Sequence, residues 1–311
     1  MGMMKNPNPN MLLRIAQGDA YAMGFEYVKP AEHPKLLAEM LKFERYVAHP
    51  THLTVPAGTY TDDTQMSIAV AEALIEDPRP SGVAFAAHFF EAFKRDPRDG
   101  YSRGFQKLLE KSTDLQSLLN TIVPDSNKNG AAMRAVPLGV LPSPLMVMQV
   151  AEKQAVMTHN TPGGIQSAQA VALMSHLALH TDIHFADLPL WGDDQDCPIF
   201  KRFSNDWEGP VVGNSKDPSD LGVGINTAHA VCTLLRSENS LMGIMRKLLE
   251  WGGDTDSVAS IAWGIASARY PDEILPEFLE HCLEPGRLYG PEFLKSLGVR
   301  LMERYADETN V

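Results

Sequence analysis

One acidic design occurs twice in the chain, near opposite ends: Thr61-Asp62-Asp63-Thr64 and Gly252-Gly253-Asp254-Thr255-Asp256-Ser257. Each crowds two carboxylates and several hydroxyls into a few residues. Carboxylates this close repel one another unless a cation neutralises them. Oxygen-only donor sets of this kind suit Mg²⁺ or Mn²⁺ rather than zinc. A chain that brings the two clusters together holds a two-metal site, and it must close on itself to do so.

Each motif stands at the entry to an apolar helical stretch. Residues 64–76 follow the first, with Ala69, Val70, Ala73 and Leu74 as the stripe, and residues 258–268 follow the second. Ser81 caps a further run over 83–90 that stops before Asp96-Pro97. Residues 147–157, 165–180, 225–236, 241–250 and 257–269 show the same spacing. Alanine is abundant inside these runs, which favours helix and close helix packing. No alternating strand pattern and no hairpin dipeptide between strand-like runs is present. The expected class is therefore all-α. A chain of 311 residues with 44% hydrophobic content can bury one large core, so one compact multi-helix domain over 1–311 is expected. Residues 185–222, which include Trp191 to Asp196 and Asp217-Pro218-Ser219, are the least regular and read as a long loop or insertion.

A net charge of -12 without a basic stripe argues against nucleic acid as a partner. Cys197, Cys232 and Cys282 are odd in number and far apart, with no C-x-x-C pair, so neither a disulfide framework nor a zinc site is expected. The start, Met1 to Pro7, does not read as a signal peptide, and no stretch reaches the roughly 18 apolar residues of a membrane span. A cytoplasmic protein without a membrane partner is expected. With no coiled-coil seam visible, the expectation is a monomer.

Three further segments carry polar chemistry. Gly18-Asp19 leads to Glu26; Asp19, read as an acid at a helix start, has a buried hydrogen-bonding role as its plain reading, and Glu26 reads alone as a solvated helix-end residue. The loop Asp125-Ser126-Asn127-Lys128-Asn129-Gly130 runs into a small-residue helix start, which can offer N–H groups to an anion such as phosphate, or be an ordinary capped loop. His159, in Thr158-His159-Asn160, reads in isolation as a structural histidine. Asp62 and Asp63 also have a capping alternative, since Thr and Asp are favoured at helix starts; the recurrence of the arrangement at Asp254 weakens it.

In this order, Gly18-Asp19 with Glu26, Thr61-Asp62-Asp63-Thr64-Gln65-Met66, Asn129-Gly130-Ala131-Ala132-Met133-Arg134, Thr158-His159 and Gly252-Gly253-Asp254-Thr255-Asp256-Ser257 resemble the ADP-ribosylglycohydrolase family over roughly residues 11–270. That family includes dinitrogenase reductase-activating glycohydrolase and the ADP-ribosyl-acceptor hydrolases. The resemblance implies a compact all-α domain around two Mg²⁺ or Mn²⁺ ions, and cleavage of the bond between ADP-ribose C1″ and an acceptor atom. Carried over by residue, Glu26, Thr61, Asp62, Asp63, Asp254, Asp256 and Ser257 are the implied metal ligands. Ser126, Asn129 and Gly130 would line the diphosphate and distal ribose, and His159 the ribose or phosphate region. Asp62, with Glu26 second, is the implied acid–base group. Asp125 at the loop edge would pair with an arginine guanidinium, so ADP-ribosyl-arginine on protein is the first expected substrate. Serine-linked ADP-ribose, O-acetyl-ADP-ribose and modified nucleobases are the other linkages, and a non-catalytic ADP-ribose-binding protein or a binuclear phosphoesterase are the rival classes. Where members often have glycine before Asn-Gly, this chain has Asn127-Lys128, so Lys128 either replaces a backbone contact to phosphate or points to solvent.

Overall fold

The computed structural model describes residues 4–188, 198–213 and 221–306. Among these the chain is helical, and its only β pairing is two isolated bridges, Asp125 with His159 and Val211 with Gly253. The all-α expectation holds. Trp191 to Asp196, Cys197 and Asp217-Pro218-Ser219 lie outside the described residues. The described parts of the irregular stretch include a 3₁₀ turn, Phe185–Asp187, and a short helix, Pro198–Lys201, and the buried rings of Phe200 and Phe203 join the core there. Among the described residues no helix is long and apolar enough to cross a membrane.

Two antiparallel helices make the centre. Met11–Ala22 packs along Thr255–Ala266 more extensively than any other pair of elements. Small residues set the spacing. A Cβ on Gly18 would stand 2.7 Å from the Ala259 carbonyl oxygen, and one on Gly264 would stand 2.6 Å from Ile15 Cγ1. The two backbones therefore approach more closely than side chains would otherwise allow. Because the helices run in opposite directions, the end of the first lies beside the start of the second, where Thr255 Oγ1 donates to the Ala22 carbonyl at 2.9 Å. That antiparallel crossing carries Glu26, just beyond the first helix, to the level of Asp254 and Asp256.

Pro162–His180 is the longest helix and is buried along nearly its whole length. Thr161 caps it by accepting from the Gly164 N–H, and Pro162 occupies the first turn, where a missing N–H costs nothing. It packs against Pro144–Ala155 on one side and Val223–Ser237 on another. Asp62–Glu76 packs on Gly82–Arg95, whose start is capped by Ser81 as expected, at 3.1 Å to the Ala84 N–H. Each fully buried leucine, such as Leu12 or Leu74, contributes roughly 1.5–3 kcal/mol to this core.

Two helices start earlier than the spacing suggests, at Asp62 rather than 64 and at Thr255 rather than 258. The apolar stripe begins only after the acids, so it conceals a first turn that carries carboxylates, which a helix N-terminus favours electrostatically. Asp19 departs too: it lies in the last turn of Met11–Ala22, not at a helix start.

Candidate active site

Asp19 organises the first motif. Its carboxylate is fully buried and accepts from the Thr61 N–H at 3.0 Å, Thr61 Oγ1 at 3.0 Å, the Thr64 N–H at 3.1 Å and Thr64 Oγ1 at 2.6 Å. The start of Asp62–Glu76 is thus capped from a neighbouring helix, and its own N-cap Thr61 makes no side-chain capping bond. Asp254, N-cap of Thr255–Ala266, makes none either; its Oδ2 accepts from the Tyr27 hydroxyl at 3.0 Å and from Asn129 Nδ2 at 3.0 Å. The capping alternative therefore fails at the N-cap of both helices. Gly252 and Gly253 hold positive φ, 70° and 82°, as the turn before Asp254 requires, and a Cβ on Gly253 would stand 2.3 Å from the Val211 carbonyl oxygen.

A cleft of about 550 Å³ opens between these elements. Glu26, Asp62, Asp63, Asp254, Asp256 and Ser257 line it together with Asp125, Ser126, Asn129, Gly130 and His159. Of the ligand and substrate-binding residues that the family resemblance implies, Thr61 alone does not line it; it is fully buried behind Asp63, with Oγ1 3.3 Å from Asp63 Oδ2. Carboxylate oxygens of Glu26, Asp254 and Asp256 lie within 4.8 Å of one another, and so do those of Asp19, Asp63 and Asp256. Asp256 belongs to both groups, and its buried Oδ1 has no hydrogen-bond partner. Asp19 meets the distance criterion, but four donors already occupy its carboxylate, so it supports the site rather than offering a free ligand atom. The oxygen-only donor set and the orphaned Asp256 oxygen fit a hard divalent cation.

The electrostatics show what these acids lack. Asp62, Asp63 and Asp256 are held well above the usual carboxylate range, first by burial and then by repulsion from neighbouring acids. Glu26 is pushed up to about 8 by burial, then by Asp254 and Asp19. Asp19 rises to about 6 because burial outweighs the hydrogen bonds from Thr64 and Thr61. A raised acid stabilises the fold below its ordinary value and loses that contribution as pH climbs through the folded-state value. For Glu26 the window runs from 4.5 to about 8. The melting temperature in EDTA should therefore fall across that window, and added Mg²⁺ should recover most at its upper end. Parallel EDTA and Mg²⁺ melting curves throughout would refute this.

The second wall is the loop before Gly130–Met133. It is tied down on both flanks: the Asn160 N–H donates to the Pro124 carbonyl at 2.7 Å, Thr161 Oγ1 to the Ser126 carbonyl at 2.9 Å, and the Gly224 N–H to the Asn127 carbonyl at 3.2 Å. Lys128 is exposed at the cleft mouth, its N–H donating to Ser126 Oγ at 3.2 Å. The helix that follows is a single turn, so its dipole is small. His159 supplies a different donor. Thr158 Oγ1 receives Arg134 Nη2 at 2.7 Å and lies 2.6 Å from His159 Nδ1. With the Thr158 hydroxyl donating to Nδ1, the neutral ring would carry its hydrogen on Nε2, the atom beside Gly130. The ring stays neutral, pulled down to about 3 by burial, then by Arg134 and Lys128. A Cβ on Gly130 would stand 2.9 Å from His159 Cε1, so the glycine makes room for this ring.

Several lining or supporting residues were not legible in the sequence. Tyr27, next to Glu26, adopts a left-handed φ of 52° and reaches across to Asp254; strain of this kind clusters at functional sites but leaves no mark in a sequence. His49 Nδ1 accepts from the His52 N–H at 2.8 Å, so Nε2 carries the hydrogen and donates to the Glu26 carbonyl at 2.7 Å. Phe105, Leu108, Ile122 and Val123 form an apolar side of the cleft. The amphipathic spacing of Phe105 and Leu108 was the one signal available for these.

Comparison with known proteins agrees with this geometry. The family model described as ADP-ribosylglycohydrolase matches residues 10–310. The chain is 29% identical over 270 residues to ADP-ribosylhydrolase ARH3 of Mus musculus, covering 72% of this chain and 73% of that protein. It is 26% identical over 316 residues to ADP-ribosylhydrolase ARH3 of Homo sapiens, covering 86% of each. A solved structure, an ADP-ribosylglycohydrolase-related protein complex, superposes with a TM-score of 0.72 at 20% identity, covering 96% of this chain and 98% of that one, which shows a shared fold.

Proposed function

The chain belongs to the ADP-ribosylglycohydrolase family and is a hydrolase that removes ADP-ribose from a modified acceptor; from that premise we propose that its acidic cleft holds two Mg²⁺ or Mn²⁺ ions and that its first substrate is ADP-ribosyl-arginine on protein. The observation that carries the metal reading is Asp256, shared between two groups of converging carboxylates with one buried oxygen left without a partner. Glu26, Asp62, Asp63, Asp254, Asp256 and Ser257 would supply the ligand oxygens from the cleft side, and Thr61 from behind. When bound, the cations supply a grip on the ribose 2″ and 3″ hydroxyls and a water of lowered pKa.

The chain's own groups do the rest. Cleavage at C1″ builds positive charge on the sugar ring, and the acids around the cleft favour it. Asp62, on the wall of the cleft, would pass a proton between the attacking water and the leaving atom of the acceptor. Glu26, also on that wall, is the second group placed for this role. His159 offers an N–H to the diphosphate or ribose, the 126–130 loop brackets it, and Lys128 adds a charge at the mouth. The apolar side at Phe105 and Val123 suits a flat base.

The arginine acceptor rests on Asp125, exposed where the cleft meets solvent, its backbone fixed by the bridge to His159. A carboxylate there matches the fork of a guanidinium. Incubation with Arg-, Ser- and Cys-linked ADP-ribosyl peptides, read by mass spectrometry, should show Mg²⁺-dependent release of ADP-ribose, fastest from the arginine linkage. Faster release from serine would overturn the acceptor and leave the hydrolase intact.

A further inference from the structure

The helix start that carries Thr61, Asp62 and Asp63 is gripped on two sides. Asp19 holds one. On the other, Arg98 and Glu284 form a fork, Nη1 to Oε1 at 2.8 Å and Nη2 to Oε2 at 2.8 Å, with side-chain exposures of 2% and 0%. The same pair takes both backbone groups of Tyr60: its N–H donates to Glu284 Oε1 at 2.8 Å, and Arg98 Nη1 donates to its carbonyl at 2.9 Å. The guanidinium also lies 3.5 Å from the centre of the Tyr60 ring. Asp96 Oδ2 braces Arg98 from behind, 2.8 Å from Nε.

The clamp reaches Asp62 by a second route. Two residues beyond Arg98, Gly100 sits at φ 120°, and a Cβ there would stand 2.4 Å from Asp62 Oδ1 and 2.8 Å from Thr61 Cβ. Glu284 is a non-glycine residue at φ 52°, kept there by its N–H donating to the Gly58 carbonyl at 2.8 Å. Neither Arg98 nor Glu284 lines the acidic cleft.

A buried ion pair adds little net stability, because desolvation offsets the attraction. What this one does is fix the two peptide units that flank Tyr60, two residues before the first of the carboxylates. Those carboxylates are mutually repulsive and would spread apart if the helix start were slack. We propose that Arg98 and Glu284 are positioning residues that hold Thr61, Asp62 and Asp63 in register for divalent cation binding. This rests on the reading of those residues as cation ligands.

The test is calorimetric titration of the metal-stripped protein with Mn²⁺, well below its melting temperature. Arg98→Lys keeps the charge but loses the fork, and Glu284→Gln keeps an acceptor for the Tyr60 N–H but loses the charge. Both should weaken Mn²⁺ binding by about 10–100-fold, as changes in groups that orient ligands do. The Mg²⁺ concentration for half-maximal activity should rise in step, and turnover should return at saturating Mg²⁺. Tyr305→Phe, which removes a hydroxyl bonded to the remote Leu74 carbonyl, serves as a control that lowers the melting temperature without moving Mn²⁺ affinity. If Arg98→Lys does not fold, Glu284→Gln decides. Unchanged affinity in the folded variants, with the unsubstituted protein binding Mn²⁺, overturns the clamp alone. No Mn²⁺ uptake by the unsubstituted protein overturns the metal reading and the clamp with it.

Discussion

Replacing Asp62 by asparagine should lower turnover by at least about a hundredfold, the low end of a positioned proton donor's contribution, while the melting temperature in EDTA rises. The two effects have one origin. Asp62 lines the cleft, lies buried among Asp19 and Glu26, and is raised well above its ordinary range by burial and by them. An amide of the same size removes a repelling acid, so metal-free stability improves. The amide cannot pass a proton to a leaving group, so the reaction slows. Measuring turnover on ADP-ribosyl-arginine peptide at saturating Mg²⁺ alongside melting curves separates the two. Turnover within threefold of the unsubstituted enzyme would remove Asp62 from the chemistry.

Asp19→Ala should be the most destabilising single change near the site, at roughly 3–5 kcal/mol. Four donors converge on that carboxylate. The two threonine hydroxyls can turn elsewhere, as Thr61 Oγ1 already approaches Asp63. The Thr61 and Thr64 N–H groups cannot turn, and each buried donor left unpaired costs about 1–3 kcal/mol. Losing an acid whose own burial is unfavourable offsets part of this, since that carboxyl already sits near 6. The loss would be a large share of the 5–15 kcal/mol of a typical domain. Urea denaturation in EDTA reads it directly, and a loss under about 1 kcal/mol would show that the helix start at Asp62 does not depend on Asp19.

The residues that were legible in advance share a trait. Asp62, Asp63, Asp254 and Asp256 are carboxylates packed into short motifs, an arrangement costly enough without a ligand to stand out. Asp19 was legible as a buried acceptor, though not its place at the end of its helix. Tyr27, Gly100, Arg98 and Glu284 were not legible. Their contributions depend on where distant segments meet, and a tyrosine at positive φ or an arginine beside a proline looks ordinary in a sequence. The helix starts at Asp62 and Thr255 were hidden for a related reason: polar first turns break the apolar stripe from which helices are read.

By itself, the order of residues determined the helical class, through alanine-rich runs at a 3.6-residue spacing, and the candidate site, through paired acids crowded into two short motifs. Tertiary structure alone decided that Asp256 serves both acid groups, that Asp19 caps a helix it does not belong to, and that Arg98 and Glu284 grip Tyr60. Local pattern follows from forces between neighbours in the chain. The sharing of one carboxylate between distant partners follows from the antiparallel crossing of Met11–Ala22 with Thr255–Ala266, whose close approach at Gly18 and Gly264 exists only once the core has packed.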